Sequence, residues 1–126
     1  MSSITITNDG LNLLRDGASG NNNSKVTYVA VGTSNTSPTV NDHQLGAEVF
    51  RKKITSYTNG ASNGEILVTG YLNAADAVGV VIAEVGFFGG NSASSSANSG
   101  VLVARGLYSH TKLSTEGIQL QLDLTM

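Results

Sequence analysis

The sequence predicts a mainly β protein: an antiparallel sheet or sandwich of five to six strands with one short N-terminal helix. Charged residues make up only 13% of the chain, while Ser, Thr, Asn and Gly are abundant, which is typical of strands joined by polar turns. Ile118–Thr125 alternates strictly between apolar and polar residues. Val78–Gly90 is apolar on both faces, as in a central strand. Residues 1–126 are therefore expected to form a single domain.

The N-terminal segment combines a strand-like start with a helical pattern. Ile4–Thr7 could be a short strand or an arm, and Asn8 or Asp9 is a plausible N-cap for a helix over Asp9–Ala18. We expect this helix to pack through its leucines. Its apolar residues recur at near-helical spacing: Leu11, Leu14 and Ala18.

Three further strands are predicted before the central hairpin. They are rich in β-branched residues and are separated by polar segments, among them the loop Ser34–Asn41 with the only proline of the chain. The Asn-Gly pairs at 59–60 and 63–64 favour a hairpin tip between the last two strands. The predicted strands are Lys25–Thr33, Glu48–Tyr57 and Glu65–Leu72.

The central hairpin is predicted from Val78–Gly90, a loop at Asn91–Ser99 and a second strand at Gly100–Ser109. The loop contains only small residues, mostly polar ones. Such a loop is either a flexible tip or an adaptable contact loop, because hydroxyl and amide groups fit many partners. The contact-loop candidates are Asn91, Ser92, Ser94, Ser95, Ser96 and Asn98.

Glu84 is the one charge inside the predicted central strand. A buried carboxylate is costly unless it is paired. It could be a perturbed acid in a cleft. The preferred interpretation is a structural carboxylate satisfied by Arg51, by Arg105 or by backbone amides.

Composition and motifs favour a binding or structural protein over an enzyme. The chain has no cysteine, no catalytic-triad signature and no phosphate-binding glycine motif. Neither His43 nor His110 has metal-ligand spacing, so we expect no metal and no cofactor. The net charge of −2 does not suggest a nucleic-acid partner, and the basic cluster Arg51-Lys52-Lys53 is interpreted as a solvated strand face. No apolar run is long enough to predict a membrane span.

Several stretches, taken in order, resemble phage tail-collar fibre proteins. Ile6–Leu14 (ITNDGLNLL) resembles the opening of that family, and IAEVGFFGG at Ile82–Gly90 resembles its "IREIGLFD" strand. The remaining similar stretches are Tyr28–Ser34 (YVAVGTS), Gln44–Ile54 (QLGAEVFRKKI) and the C-terminal segment Gly100–Met126. The order and spacing of these stretches cover nearly the whole chain.

The resemblance implies a non-enzymatic structural protein of a bacteriophage tail. It would be a short tail fibre, or a fibre-base or adaptor subunit on the baseplate, made in the host cytoplasm and carried in the virion. Its partners would be other tail or baseplate proteins and further copies of itself, as a homotrimer, with no nucleic acid and no membrane. The alternative is a glycan-binding adhesion module on the host surface. The family attaches by its N-terminal end, so the particle-docking candidates are Ile4, Ile6, Leu11 and Leu14.

Overall fold

The computed structural model describes residues 4–20 and 24–125. Within these ranges the chain forms eight strands and one helix. The sequence also predicts a loop at Gly20–Ser24, and residues 21–23 of this loop lie outside the described residues. The elements in chain order are β1 (Ile4–Ile6), α1 (Asn8–Ala18), β2 (Val26–Gly32), β3 (Glu48–Lys53), β4 (Ser56–Asn59), β5 (Glu65–Leu72), β6 (Val81–Gly89), β7 (Val101–Thr111) and β8 (Ile118–Thr125).

The strands form two antiparallel sheets. The five-stranded sheet has the order β1-β7-β6-β2-β3, and the three-stranded sheet has the order β4-β5-β8. The predicted class, mainly antiparallel β with one N-terminal helix, is thus confirmed.

The described residues contain eight strands rather than five to six, because one predicted strand is divided between the two sheets and Ile4–Ile6 adds another. The segment predicted as Glu48–Tyr57 runs through both sheets. The Ile54 amide donates to the Thr27 carbonyl in the first sheet, and the next amide, of Thr55, donates to the Thr69 carbonyl in the second. A strand that changes sheet in this way makes the corner of a sandwich. Ile4–Ile6, which could have been an arm, is a strand paired with β7.

Helix α1 begins one residue earlier than predicted, because Thr7 rather than Asn8 or Asp9 is the N-cap. The Thr7 hydroxyl accepts a hydrogen bond from the Gly10 amide at 2.9 Å and donates to the Leu102 carbonyl. Gly10 allows the helix to lie directly on β7, since a Cβ there would meet the Val103 carbonyl oxygen at 2.4 Å.

The leucine that packs the helix is Leu13, which is buried in the main core. Leu11, predicted to pack, has 54% of its surface exposed, and Leu14 is half-buried. The helix packs against β7 at Gly10. Its buried side therefore contains Gly10 and Leu13, and not Leu11.

Both faces of the five-stranded sheet are covered. Phe87 and Phe88 are consecutive, fully buried residues on the central strand β6. Phe87 lies in the main core, between the two sheets and helix α1. Phe88 lies in a second cluster with Ala30, Leu45 and Leu102. Leu45 belongs to the long connection between β2 and β3, so this connection covers the second face.

Candidate functional site

Glu84 is fully buried and holds the connection between β2 and β3 against the sheet. Its Oε1 accepts from the Gly46 amide at 2.8 Å, and its Oε2 accepts from the Ala47 amide at 2.8 Å and the Ser34 amide at 3.1 Å. Backbone donors at both ends of residues 34–47 therefore converge on one carboxylate.

Arg105 completes this arrangement from the neighbouring strand β7. Its Nε donates to Glu84 Oε1 at 2.9 Å, and its Nη1 donates to Asp42 Oδ2 at 3.3 Å. Burial of Asp42 opposes its ionisation, but the Thr39 amide and hydroxyl and the Arg105 guanidinium outweigh this effect and lower the pKa of Asp42. We name Glu84, Arg105 and Asp42 the carboxylate cluster.

The carboxylate cluster has the chemistry of a structural site. Four donors occupy the two oxygens of Glu84. A Cβ at Gly32 would meet Glu84 Oε2 at 2.4 Å, so the carboxylate is also enclosed sterically. A general acid or base needs a face open to substrate. The geometry therefore agrees with a carboxylate that holds a loop in place.

Arg51, the other predicted partner of Glu84, instead pairs with Glu48 on its own strand. Arg51 Nε and Nη2 donate to the two Glu48 oxygens at 2.7 and 2.8 Å, and both side chains are almost fully buried. Residues three apart on a regular strand face opposite ways. In β3, Phe50 pairs with Val31 and Glu48 with Gly32, so Val49 bulges out of the ladder. This bulge brings the two charges to one side.

The Arg51 guanidinium also holds the predicted contact loop, Asn91–Ser99. Its Nη1 donates to the carbonyl oxygens of Ser94 and Ser99 and to the Ser99 hydroxyl, each at 3.0 Å. Glu48 Oε1 accepts from the Asn98 amide at 3.1 Å. The guanidinium carbon lies 4.4 Å from the centre of the Phe88 ring, a cation–π distance.

The contact loop thus combines an exposed outer surface with a buried polar base. The loop has internal bonds as well, such as the Ser94 amide to the Ser99 hydroxyl at 2.9 Å. These bonds give no support to the flexible-tip interpretation. The contact-loop candidates Asn91, Ser92, Ser94, Ser95, Ser96 and Asn98 are all exposed.

The basic cluster in β3 does not form one patch. Arg51 is enclosed by Glu48 and the contact loop, while the Lys52 ammonium pairs with Asp76. Lys53 is exposed. Because the three cations point to different surroundings, the expectation of a solvated strand face applies only to Lys53.

The particle-docking candidates have unequal exposure. Ile4 and Ile6 are half-buried and pack against the main core through β1. Leu11 is exposed, whereas Leu14 lines an apolar groove of about 370 Å³ between α1 and the three-stranded sheet. We name this the α1 groove. Its other apolar lining residues are Ala18, Val26, Tyr57, Ile66, Val68 and Leu124.

Each histidine contacts a carboxylate. His43 Nδ1 lies 2.5 Å from Asp9 Oδ2, which joins the β2–β3 connection to helix α1. His110 Nε2 lies 2.8 Å from Glu116 Oε2, and this hydrogen bond and the Leu113 amide lower the pKa of Glu116. Among residues 4–20 and 24–125, no three His, Cys, Asp or Glu side chains come together as a metal site.

A cavity of about 730 Å³ lies beside strands β6 and β7. Tyr108 lines it together with Asn35, Thr33 and Ser109. The Tyr108 ring stacks on His110, with 5.9 Å between the ring centres. An aromatic ring beside amide and hydroxyl groups can bind a small polar ligand.

The sequence interpretation missed Glu48 and Asp42 as partners of the two buried arginines. The spacing of Glu48 and Arg51 gave no signal, because a regular strand would separate them. Asp42 lies in the connection between β2 and β3, and no local sequence pattern indicates the path of this connection over the sheet.

Comparison of the chain with protein-family models, with curated proteins and with solved structures found no match. The helix in the described part of the chain is too short and too polar to cross a membrane.

Proposed function

We propose that the chain is a structural protein of a bacteriophage tail: a short tail fibre, or a fibre-base or adaptor subunit attached to the baseplate. It acts through contacts with other tail proteins and further copies of itself, a trimer in the resembled family, and it catalyses no reaction. Its place of action is the virion.

The observation that carries the proposal is the ordered series of similar stretches along the chain. Ile6–Leu14 covers the start of α1, and Ile82–Gly90 covers β6. The other stretches contain most of β2, all of β3, and the pair β7 and β8, whereas β4 and β5 lie outside them. The similarity therefore extends over elements of both sheets, which supports a likeness of domains over a likeness of isolated motifs.

The placement of the charges agrees with a structural role. The two buried arginines are used to fix loops: Arg105 acts through the carboxylate cluster, and Arg51 holds the contact loop. The loops are thus pre-organised, and the outer surface of the contact loop is made of small neutral residues. Pre-organised surfaces lose less conformational entropy on binding, as a subunit of a permanent assembly requires.

Leu11 is the best particle-docking residue of the four candidates, because it is the only one of them that is exposed. Ile4 and Ile6 belong to the fold. Deleting residues 1–7 would remove strand β1 and Thr7, the N-cap of α1. Residues 1–3 of this segment lie outside the described part of the chain. A point substitution at Leu11 is therefore the cleaner test.

The test is incorporation into particles that lack the chain. Leu11→Arg should fold as wild type, judged by thermal unfolding, and should be depleted from purified particles. Asn12→Arg is the matched control, because it introduces the same residue at another exposed position of the helix, about 100° round the axis from Leu11, and it should be incorporated normally. Normal incorporation of Leu11→Arg would remove α1 as the docking surface, and failure of the wild-type chain to enter any particle would overturn the proposed function.

A glycan-binding adhesion module is the second candidate, and the 730 Å³ cavity favours it. Tyr108, Asn35 and Ser109 line it, and aromatic, amide and hydroxyl groups together are the chemistry that recognises sugars. Saturation-transfer NMR with host surface polysaccharide tests this candidate. Signals lost in Tyr108→Ala but kept in Tyr71→Ala would support it, whereas no transfer to wild type would exclude it.

A further inference from the structure

The four sheet edges of the molecule differ in how well they are protected. β1 is three residues long and β4 is four, so both are short edges. β3 carries four charged residues among six and contains the bulge at Val49. Short strands, charges and bulges are the usual protections of an edge. Three of the four edges are therefore protected.

Strand β8 has none of these protections. It is eight residues long, has no bulge against β5, contains no proline and carries one charge, Asp123. In the part of the chain that the structure describes, β8 pairs with β5 alone. A long, regular, nearly uncharged edge is a template for another strand.

We propose that β8 pairs antiparallel with β8 of a second copy of this chain, around a two-fold axis at Gln121. In this register Gln121 lies opposite the second copy's Gln121, Leu120 lies opposite Leu122, and Ile118 lies opposite Leu124. The two three-stranded sheets then form one continuous six-stranded sheet.

The side chains of β8 select its own copy as the occupant and fix this register. Its buried and exposed residues alternate without exception, so only a partner with the same alternation keeps the core faces together. The register centred on Gln121 places all four buried residues opposite buried residues. It also places Asp123 opposite the neutral amide of Gln119, whereas a register centred on Asp123 would oppose like charges.

This inference does not depend on a role in phage tails. It predicts an even number of protomers in solution. If the chain also has the three-fold symmetry of the resembled family, its own assembly is a hexamer, in which two trimers are joined through β8.

The absence of native cysteine allows a direct crosslinking test on the full-length chain. Gln121→Cys should form a disulfide dimer under mild oxidation, because directly opposed residues have Cα atoms about 5 Å apart. The matched control is Gln119→Cys, whose two copies would lie about 14 Å apart, which is too far for a disulfide. Thr58→Cys on the edge strand β4 is the second control, and it should not crosslink.

A charge exchange tests the same contact without oxidation. Gln121→Glu and Gln121→Lys should each weaken self-association at least tenfold, measured by analytical ultracentrifugation, because each places like charges on the axis. An equimolar mixture of the two variants should restore the dimer. A substitution that merely destabilised the fold would not be rescued by mixing.

The expected result is therefore an even-numbered wild-type assembly, a Gln121 crosslink and rescue by the mixture. A wild-type monomer at high concentration would overturn the proposal. Equal crosslinking of Gln119→Cys and Gln121→Cys, or failure of the mixture to restore the dimer, would also overturn it.

Discussion

Glu84 and Arg105 lie on adjacent strands of the five-stranded sheet, and the Arg105 Nε donates to Glu84 Oε1 at 2.9 Å. Both side chains are buried, on the face that the β2–β3 connection covers. The pair is bonded to that connection through the amides of Ser34, Gly46 and Ala47 and through Asp42. One buried ion pair thus fixes a long connection that has no helix or strand of its own.

Removal of the Glu84 charge should destabilise the protein strongly. Glu84→Gln leaves Arg105 buried without its main carboxylate and presents an amide group to backbone donors. We expect a loss of about 3–5 kcal/mol in the free energy of unfolding, measured in urea. Asp16→Asn, which breaks an exposed pair with Arg15, is the control and should change stability by less than about 0.5 kcal/mol. Wild-type stability of Glu84→Gln would contradict the role of the carboxylate cluster.

Arg51 should determine the order of the contact loop. Arg51→Lys keeps one positive charge but loses the planar fork that bonds Glu48 and the loop carbonyls together. Hydrogen exchange at Ser94 and Asn98 should accelerate at least tenfold, while amides in β6 remain protected. Lys53→Ala, at an exposed site of the same strand, should leave exchange in the loop unchanged. Equal loop exchange in Arg51→Lys and wild type would show that Arg51 does not hold the loop.

The Thr7 hydroxyl should stabilise the N-terminus of α1. Thr7→Ala removes the acceptor of the Gly10 amide and should cost about 1–2 kcal/mol in chemical unfolding. Thr7→Ser keeps the hydroxyl and should retain most of the stability. If both variants lose the same stability, the methyl group and not the cap is responsible.

Asp42 should contribute stability that is lost in acid. Its pKa is lowered in the folded protein, although burial alone would raise it, because the Thr39 donors and Arg105 favour the carboxylate. The contribution is therefore present above the unfolded-state pKa, about 3.9, and disappears as the pH falls through the lower folded-state value. Asp42→Asn should be less stable than wild type at pH 7, and this difference should shrink at about pH 3. A difference that is independent of pH would exclude the carboxylate as its source.

Local patterns predicted those parts of the fold that local physics determines. The alternation in Ile118–Thr125 and the two apolar faces of Val81–Gly89 correspond to β8 and β6. Residues 48–57 have the composition of one continuous strand. The sequence therefore could not show that the chain passes from the first sheet to the second at Ile54 and Thr55. The cap at Thr7 also depends on tertiary contact, since the Thr7 hydroxyl bonds a carbonyl of β7.

The candidate sites were predicted less completely than the strands. The burial cost of a carboxylate drew attention to Glu84, but two arginines were possible partners. The choice of Arg105 depends on the pairing of β6 with β7. Arg51 pairs with Glu48 because β3 bulges at Val49, and no residue pattern indicates this bulge.

The central claim is that the chain is part of a phage tail, and immunogold electron microscopy of purified particles tests it most directly. Antibodies raised against the folded chain should label intact virions at the tail or baseplate and leave the capsid unlabelled. Absence of label from virions, together with absence of the chain from their protein content by mass spectrometry, would contradict the account.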